Sequence, residues 1–138
     1  MRAGRILVVV AVAALGLGLC AGVALAGKKK KNTTVIYFSG NPRFNNGGKV
    51  QVKGSLNTVK ACRISRGVRL QLLDPNGAVT TLDGSTTDSN GNWFVQAQLP
   101  KGLPANTDTV RVKALKASAG KFVCKAGVST PVPVPATK

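Results

Sequence analysis

Few residues in this sequence could do chemistry. It contains no histidine and no glutamate, and its only acids are Asp74, Asp83, Asp88 and Asp108. General acid-base catalysis by imidazole or glutamate is therefore excluded, and any carboxylate pair would have to come from those four aspartates. Ser118-Ala119-Gly120-Lys121 has the S-x-x-K spacing of Ser-Lys acyl enzymes. That chemistry needs serine and lysine one helical turn apart, whereas this stretch carries a glycine, precedes an expected strand and has no S-D-N or K-T-G partner. Asp88, Asn90 and Asn92 alternate like part of a calcium loop, and Asp83 is near enough in sequence to complete an oxygen cage. The glycine is misplaced for an EF-hand, however, and the bidentate glutamate is missing. A tight turn explains the same residues with fewer assumptions. The chain is read as non-catalytic, with no metal and no cofactor.

The cysteines and the two neighbouring aromatics carry more information. Of Cys20, Cys62 and Cys124, the first lies in an N-terminal apolar run, which leaves Cys62 and Cys124 as an even pair. A disulfide is the default for such a pair in an oxidising compartment, and two thiols without histidine cannot make a tetrahedral zinc set. The bridge would close a loop of some 60 residues, which the chain-entropy model values at roughly 4 kcal/mol. Trp93, the single tryptophan, alternates with Val95 and Leu99 and is expected to face the core, while Phe94 faces outward and is the better candidate to touch a ligand.

The compartment is read from the N-terminus. Arg2 and Arg5 precede an uncharged run from Ile6 to Ala26 that ends on Ala24-Leu25-Ala26, an A-x-A cleavage signature. Residues 1–26 are read as a signal peptide cut before Gly27, leaving 112 residues. The run is also long enough to span a bilayer uncut, and Lys28 to Lys31 directly behind it oppose translocation, so a retained anchor is the competing reading. Cys20 follows Leu17-Gly18-Leu19, whose bulky residues do not suit a lipoprotein signal. The expected location is outside a bacterial cell or in its envelope.

Charge is the strongest compositional signal. Twenty Lys and Arg face four acids, and the part after residue 26 keeps 18 of those bases for a formal +14. Such a surface attracts polyanions in general, whether nucleic acid, anionic wall polymer or anionic lipid, unless it serves solubility alone. The candidate polyanion contacts are Lys28, Lys29, Lys30, Lys31, Arg69, Arg111 and Lys113. Nucleic acid would bind without sequence discrimination, since no helix is available for a major groove and no aromatic cluster for stacking bases.

The elements that must position these groups are strands. Val50, Val52 and Leu56 alternate with Lys49, Gln51, Lys53 and Ser55; Val68, Leu70 and Leu72 alternate with Arg69 and Gln71; Val110 and Val112 alternate with Arg111 and Lys113. Further strands are expected over Thr33 to Ser39, Val79 to Leu82, Trp93 to Leu99 and Phe122 to Val128. Asp74-Pro75-Asn76-Gly77 and Asp88-Ser89-Asn90-Gly91-Asn92 are turns. Turn signals recur about every eight to twelve residues, and the mature part holds no convincing helical stripe, which predicts an all-β, single small antiparallel sandwich of about seven strands with one disulfide. The expected divisions are a basic segment with an extra strand over 27–48, the sandwich over 49–130 and a Pro-rich tail over 131–138. Both Lys28 to Asn32 and Pro131 to Lys138 are expected to be mobile.

Cys62 before the Val68-Arg69-Leu70 strand, Thr87-Asp88-Ser89-Asn90-Gly91-Asn92-Trp93, Val110-Arg111-Val112-Lys113 and Lys121-Phe122-Val123-Cys124-Lys125 together resemble the carboxypeptidase regulatory-like domain, a small transthyretin-like sandwich of secreted actinobacterial proteins. The resemblance runs from Lys49 to about Val128 and implies a non-catalytic module. The chain differs in having no attached enzyme domain and in carrying Thr33 to Gly48. The functional expectation is an exported binding or structural module whose basic face meets anionic envelope polymer or a protein partner. The alternative is a free polycation acting on nucleic acid or membranes, and a Ser-Lys enzyme is the remote one. Membrane contact is expected only through an uncleaved signal.

Overall fold

The computed structural model describes residues 27–138. The signal peptide expected over residues 1–26, its cleavage point and Cys20 lie outside the described residues. Period-two patterning dominates the rest, and the described residues form twelve strands and one short helix. These are β1 (Lys30–Asn32), β2 (Val35–Phe38), β3 (Arg43–Phe44), β4 (Lys49–Asn57), α1 (Lys60–Arg63), β5 (Gly67–Leu73), β6 (Val79–Thr86), β7 (Asn92–Gln98), β8 (Thr109–Ala114), β9 (Ala117–Ala119), β10 (Phe122–Cys124), β11 (Gly127–Val128) and β12 (Val132–Pro133).

Two of the three sheets make the sandwich. In the first, β4 is flanked by β7 on one side and by β2 and β3 in succession on the other, all antiparallel. In the second, β5 lies between β6 and β8, and β11 and β12 follow one another along the far side of β8. β2 with β3, and β11 with β12, are each one strand interrupted by a few unpaired residues. Counted that way the sandwich has seven strands, the expected number; the remaining three, β1, β10 and β9, form a small separate sheet. One core joins the layers: Ile36, Val50, Val52, Leu56, Trp93 and Val95 from the first sheet meet Val68, Leu70, Val110, Val112 and Ala114 from the second. These are the inward positions of the sequence alternation, and burying each such side chain stabilises by about 1.5–3 kcal/mol.

Three turns use one chemistry, two of them closing the β3–β4 and β5–β6 hairpins and the third leading from β6 in one sheet to β7 in the other. Asp74 Oδ1 accepts from the main-chain N–H of Asn76 and Ala78 at 2.9 and 2.8 Å, and Asp88 Oδ1 accepts from Asn90 and Asn92 at 2.8 and 2.9 Å. Asn45 Oδ1 does the same for Gly47 and Lys49 at 3.1 and 2.8 Å. In each turn the fourth residue is a glycine at positive φ, Gly48 at 77°, Gly77 at 83° and Gly91 at 82°, where a side chain would be strained. The Asp74 and Asp88 turns are those predicted. The Asn45 turn was not, because Asn45-Asn46-Gly47-Gly48 is followed by only one obvious strand.

β6 runs to Thr86, longer than the expected Val79 to Leu82. Its polar second half lies on a sheet edge, where alternation is weak, and its register to β5 shifts between Leu70 and Gln71. Leu82 is the extra residue there and packs against the core.

Several expectations are corrected. Pro131 to Lys138 is not a mobile tail: Val134 is fully buried, its N–H donates to Asp108 O at 2.9 Å, and Thr137 Oγ1 donates to Pro100 O at 2.7 Å and accepts from Leu103 N at 2.9 Å. Proline removes alternate donors, but the intervening residues still find partners. Lys30–Asn32 is likewise held, pairing in parallel with β10. The sandwich therefore extends beyond 49–130 at both ends, with Ile36 and Val134 in its core. The strand expected over Phe122 to Val128 divides into β10 and β11, so the segment bearing Cys124 is not the last one. Among the described residues no helix is long and apolar enough to cross a membrane.

Candidate ligand-binding faces

Cys62 in α1 and Cys124 at the end of β10 form the expected disulfide, with Cα atoms 5.5 Å apart. Beside it lies a residue that sequence reasoning missed. Arg66 is only 2% exposed, and its guanidinium donates to four main-chain carbonyls: Leu115 O at 2.5 Å, Cys62 O at 2.9 Å, Cys124 O at 3.2 Å and Lys125 O at 2.6 Å. Burial lowers its pKa, but a guanidinium remains charged throughout the working pH range. Its main-chain N–H donates to Thr87 Oγ1 at 2.7 Å, and that hydroxyl donates to Arg63 O. The fork ties α1, the end of β8 and β10 together around the bridge. A signal existed: Arg66, Val68, Leu70 and Leu72 are spaced by two, so the alternation of β5 carries Arg66 to the buried side.

The residues weighed for catalysis and calcium have structural surroundings. Ser118 lies in β9, not on a helix, and the Lys121 ammonium stands 5.5 Å from the centroid of the Phe122 ring. The Asp88 carboxylate is engaged by its own turn, and the Asn92 N–H, ahead of Asn90 and Gly91, holds its pKa below the ordinary carboxylate value. Among the described residues no group of three or more cysteine or carboxylate side chains could hold a metal ion.

The basic candidates divide between two places. Arg69, Arg111 and Lys113 occupy one outer sheet face: Arg69 is directly opposite Lys113, and Arg111 is opposite Gln71 one step along. Both guanidinium groups rest on neutral acceptors, Arg111 Nε on Gln71 Oε1 at 3.0 Å and Arg69 Nη1 on Val68 O at 3.2 Å. The Arg69 side chain lies across Gly84 of β6, where there is no Cβ to obstruct it. Lys28 to Lys31 are apart from that stripe. All four are exposed, and Lys30 and Lys31 stand in β1 opposite Phe122 and Val123, with Lys30 N donating to Lys121 O at 2.9 Å.

The outer face of the other sheet has a different character. Phe94 is 52% exposed and Tyr37 53% exposed, whereas Trp93 is buried, its ring meeting that of Phe38 edge-on at 5.9 Å between centroids. Phe94 is paired with Lys53, Gln96 with Gln51, and Tyr37 with Ser55. A scan against protein-family models and a search of curated proteins find no match to this chain. The functional reading therefore rests on these surfaces.

Proposed function

We propose that this domain is an exported, non-catalytic module that binds anionic polymer on the basic outer face of β5 and β8. The observation that carries the reading is the Arg69–Lys113 cross-strand pair, with Arg111 next along the same face. Like charges directly opposite one another are destabilising, by an amount on the order of 0.2–1 kcal/mol. The Arg69 and Arg111 guanidinium groups are braced by carbonyl and amide oxygens, which orient these two cations without neutralising them. An anion lying along the stripe would relieve that repulsion. Export is supported by the Cys62–Cys124 bridge, a bond that persists in oxidising compartments. A two-layer sandwich is also the fold that the carboxypeptidase regulatory-like resemblance implies, and that resemblance implies a non-catalytic module.

The test is titration with wall-derived anionic polymer and with duplex DNA at low and physiological salt. Binding should weaken steeply with salt, because counterion release drives it, and DNA sequence should not matter. Changing Arg69, Arg111 and Lys113 together to Gln should remove most of the affinity. Loss only when Lys28 to Lys31 become Ser would move the function to β1 and its approach. No binding of either polymer at low salt would make the charge a solubility device and leave a protein partner as the better reading.

A further inference from the structure

We infer that the outer face of β4 and β7 is a second binding site, made for the sugar rings of an acidic polysaccharide. The inference rests on the anionic-polymer reading for the charge of the ligand, and on separate observations for its sugar. Three of the exposed large apolar side chains, Val35, Tyr37 and Phe94, belong to this sheet. Strand parity puts all three on its outer side, since Ile36, Val52 and Val95 between or beside them are core residues. Two shallow hollows, of 260 and 560 Å³, meet at Ser39, Lys53 and Phe94.

The chemistry of the face is that of a hydroxyl-rich ligand. An exposed ring offers a flat apolar surface to the C–H groups on one side of a pyranose, and such a contact requires no charge. Beside Phe94 and its cross-strand partner Lys53, the same outer face carries the amides of Gln51, Gln96 and Asn92. Gln51 Nε2 donates to Gln96 Oε1 at 2.8 Å, which leaves the Gln96 amide N–H groups and the Gln51 carbonyl free to donate to and accept from sugar hydroxyls. The smaller hollow has Arg43 and Lys53 in its lining and no carboxylate, so an acidic substituent of the sugar finds cations there. Asp88 borders the larger hollow instead, where its carboxylate is occupied with main-chain N–H groups and would repel a second acid. The ligand is thus oriented, with its charge toward Arg43 and Lys53 and its neutral part toward Asp88.

The arrangement suits sugar better than stacked bases. Tyr37 and Phe94 lie on strands flanking β4 on opposite sides, roughly 10 Å apart across the sheet by strand spacing. They are separate platforms with Lys53 and Ser55 of β4 between them, whereas single-stranded nucleic acid is held by aromatics that take successive bases.

The experiment is calorimetric titration of the purified chain, disulfide intact, with polygalacturonate, neutral galactan, polyphosphate and oligothymidylate at low and physiological salt. Polygalacturonate should bind tightest. Phe94→Ala should weaken it about tenfold, equivalent to ~1.4 kcal/mol, without changing the salt slope, and Phe94→Tyr should restore most of the loss. Tyr37→Ala should act in the same direction. Both positions are about half exposed, and unchanged circular dichroism will verify the fold. The Arg69, Arg111 and Lys113 variant should reduce polygalacturonate and polyphosphate affinity alike, whereas the ring variants should leave polyphosphate affinity unchanged. Polygalacturonate affinity unmoved by Phe94→Ala and Tyr37→Ala would overturn the sugar site while leaving the charge reading standing. Oligothymidylate binding tightest, with loss in the ring variants, would overturn it in favour of nucleic acid. Galactan binding as tightly as polygalacturonate would overturn the acidic assignment, and if polyphosphate then failed to bind, the anionic-polymer reading would fall with it.

Discussion

Removing Arg66 should damage this fold more than removing any other basic side chain. Its guanidinium satisfies four main-chain carbonyls in a pocket closed to water. In Arg66→Met the stem volume is roughly kept and the donors are lost. Lys125 O would keep the Thr34 Oγ1 hydrogen bond at 2.9 Å, and the Cys124 contact at 3.2 Å is the longest of the four, so Leu115 O and Cys62 O bear most of the loss. Each buried group left without a partner costs about 1–3 kcal/mol. Relief from no longer burying a cation offsets part of this. A net loss of about 3 kcal/mol is expected, a drop in melting temperature of the order of 10 °C for a domain this size. Arg66→Lys should lose about half as much, because an ammonium can reach some of these carbonyls but cannot reproduce the fork. Arg69→Met is the control and should be neutral or slightly stabilising, since it removes one partner of the cation pair with Lys113. Urea unfolding with the disulfide intact measures all three. If Arg66→Met shifts the midpoint no more than Arg69→Met does, the carbonyl fork does not hold the bridge region together and the reasoning is wrong.

Cys62→Ser should lose about 4 kcal/mol through the unfolded chain while keeping the sandwich; melting curves read the loss, and alkylation of two thiols in the purified exported protein would sink the bridge itself. Gly54→Ala should destabilise by roughly 2 kcal/mol or more, because a Cβ at that position runs into Tyr37 O and comes within 2.6 Å of Trp93 Cζ2; an unchanged denaturation midpoint would show that β2 can shift freely. The Asp88 carboxylate, its pKa lowered chiefly by the Asn92 N–H, contributes stability that is complete above the ordinary carboxylate pKa of about 3.9 and is lost as pH falls through its depressed value; Asp88→Asn should flatten that part of the acid limb, and an acid-unfolding curve identical to the parent's would refute the assignment. Mass spectrometry of the exported protein should find Gly27 as its first residue, and recovery of the intact Met1 chain only in membranes would mean an anchor instead.

Alternation was enough to read β4, β5, β7 and β8, because these strands are buried on one side and a one-residue slip would expose a whole row of Val and Leu. It failed where burial is shared unevenly. β6 is an edge strand with a bulge at Leu82, β2 and β3 are a single interrupted strand, and the Pro-rich C-terminus looks like tail by composition yet places Val134 in the core. The stripe of Arg69, Arg111 and Lys113 was legible because parity alone puts them outside, and only the pairing of β5 with β8 was needed to gather them. The Phe94 face was half legible. Parity pointed Phe94 outward, but nothing local indicates that Tyr37, some 57 residues earlier in the chain, would share its sheet.

The cations of this chain consequently do not form one signal. Arg66 lies inside, where carbonyl dipoles compensate its charge and no ligand reaches it. Arg69, Arg111 and Lys113 share one sheet face, where an extended anion would relieve the repulsion of the Arg69–Lys113 pair. Arg43 and Lys53 lie on the opposite layer among amides and an exposed ring, where charge is only part of what a ligand would meet. A net charge predicts that anions will be attracted, and its magnitude sets how strongly salt competes. Which anion is retained depends on the neutral groups beside each cation, and these differ between the two faces: carbonyl and amide braces on β5 and β8, rings and free amides on β4 and β7. A long acidic polymer that meets both faces would be held by charge on one and by shape on the other, so the two contributions separate experimentally by their response to salt.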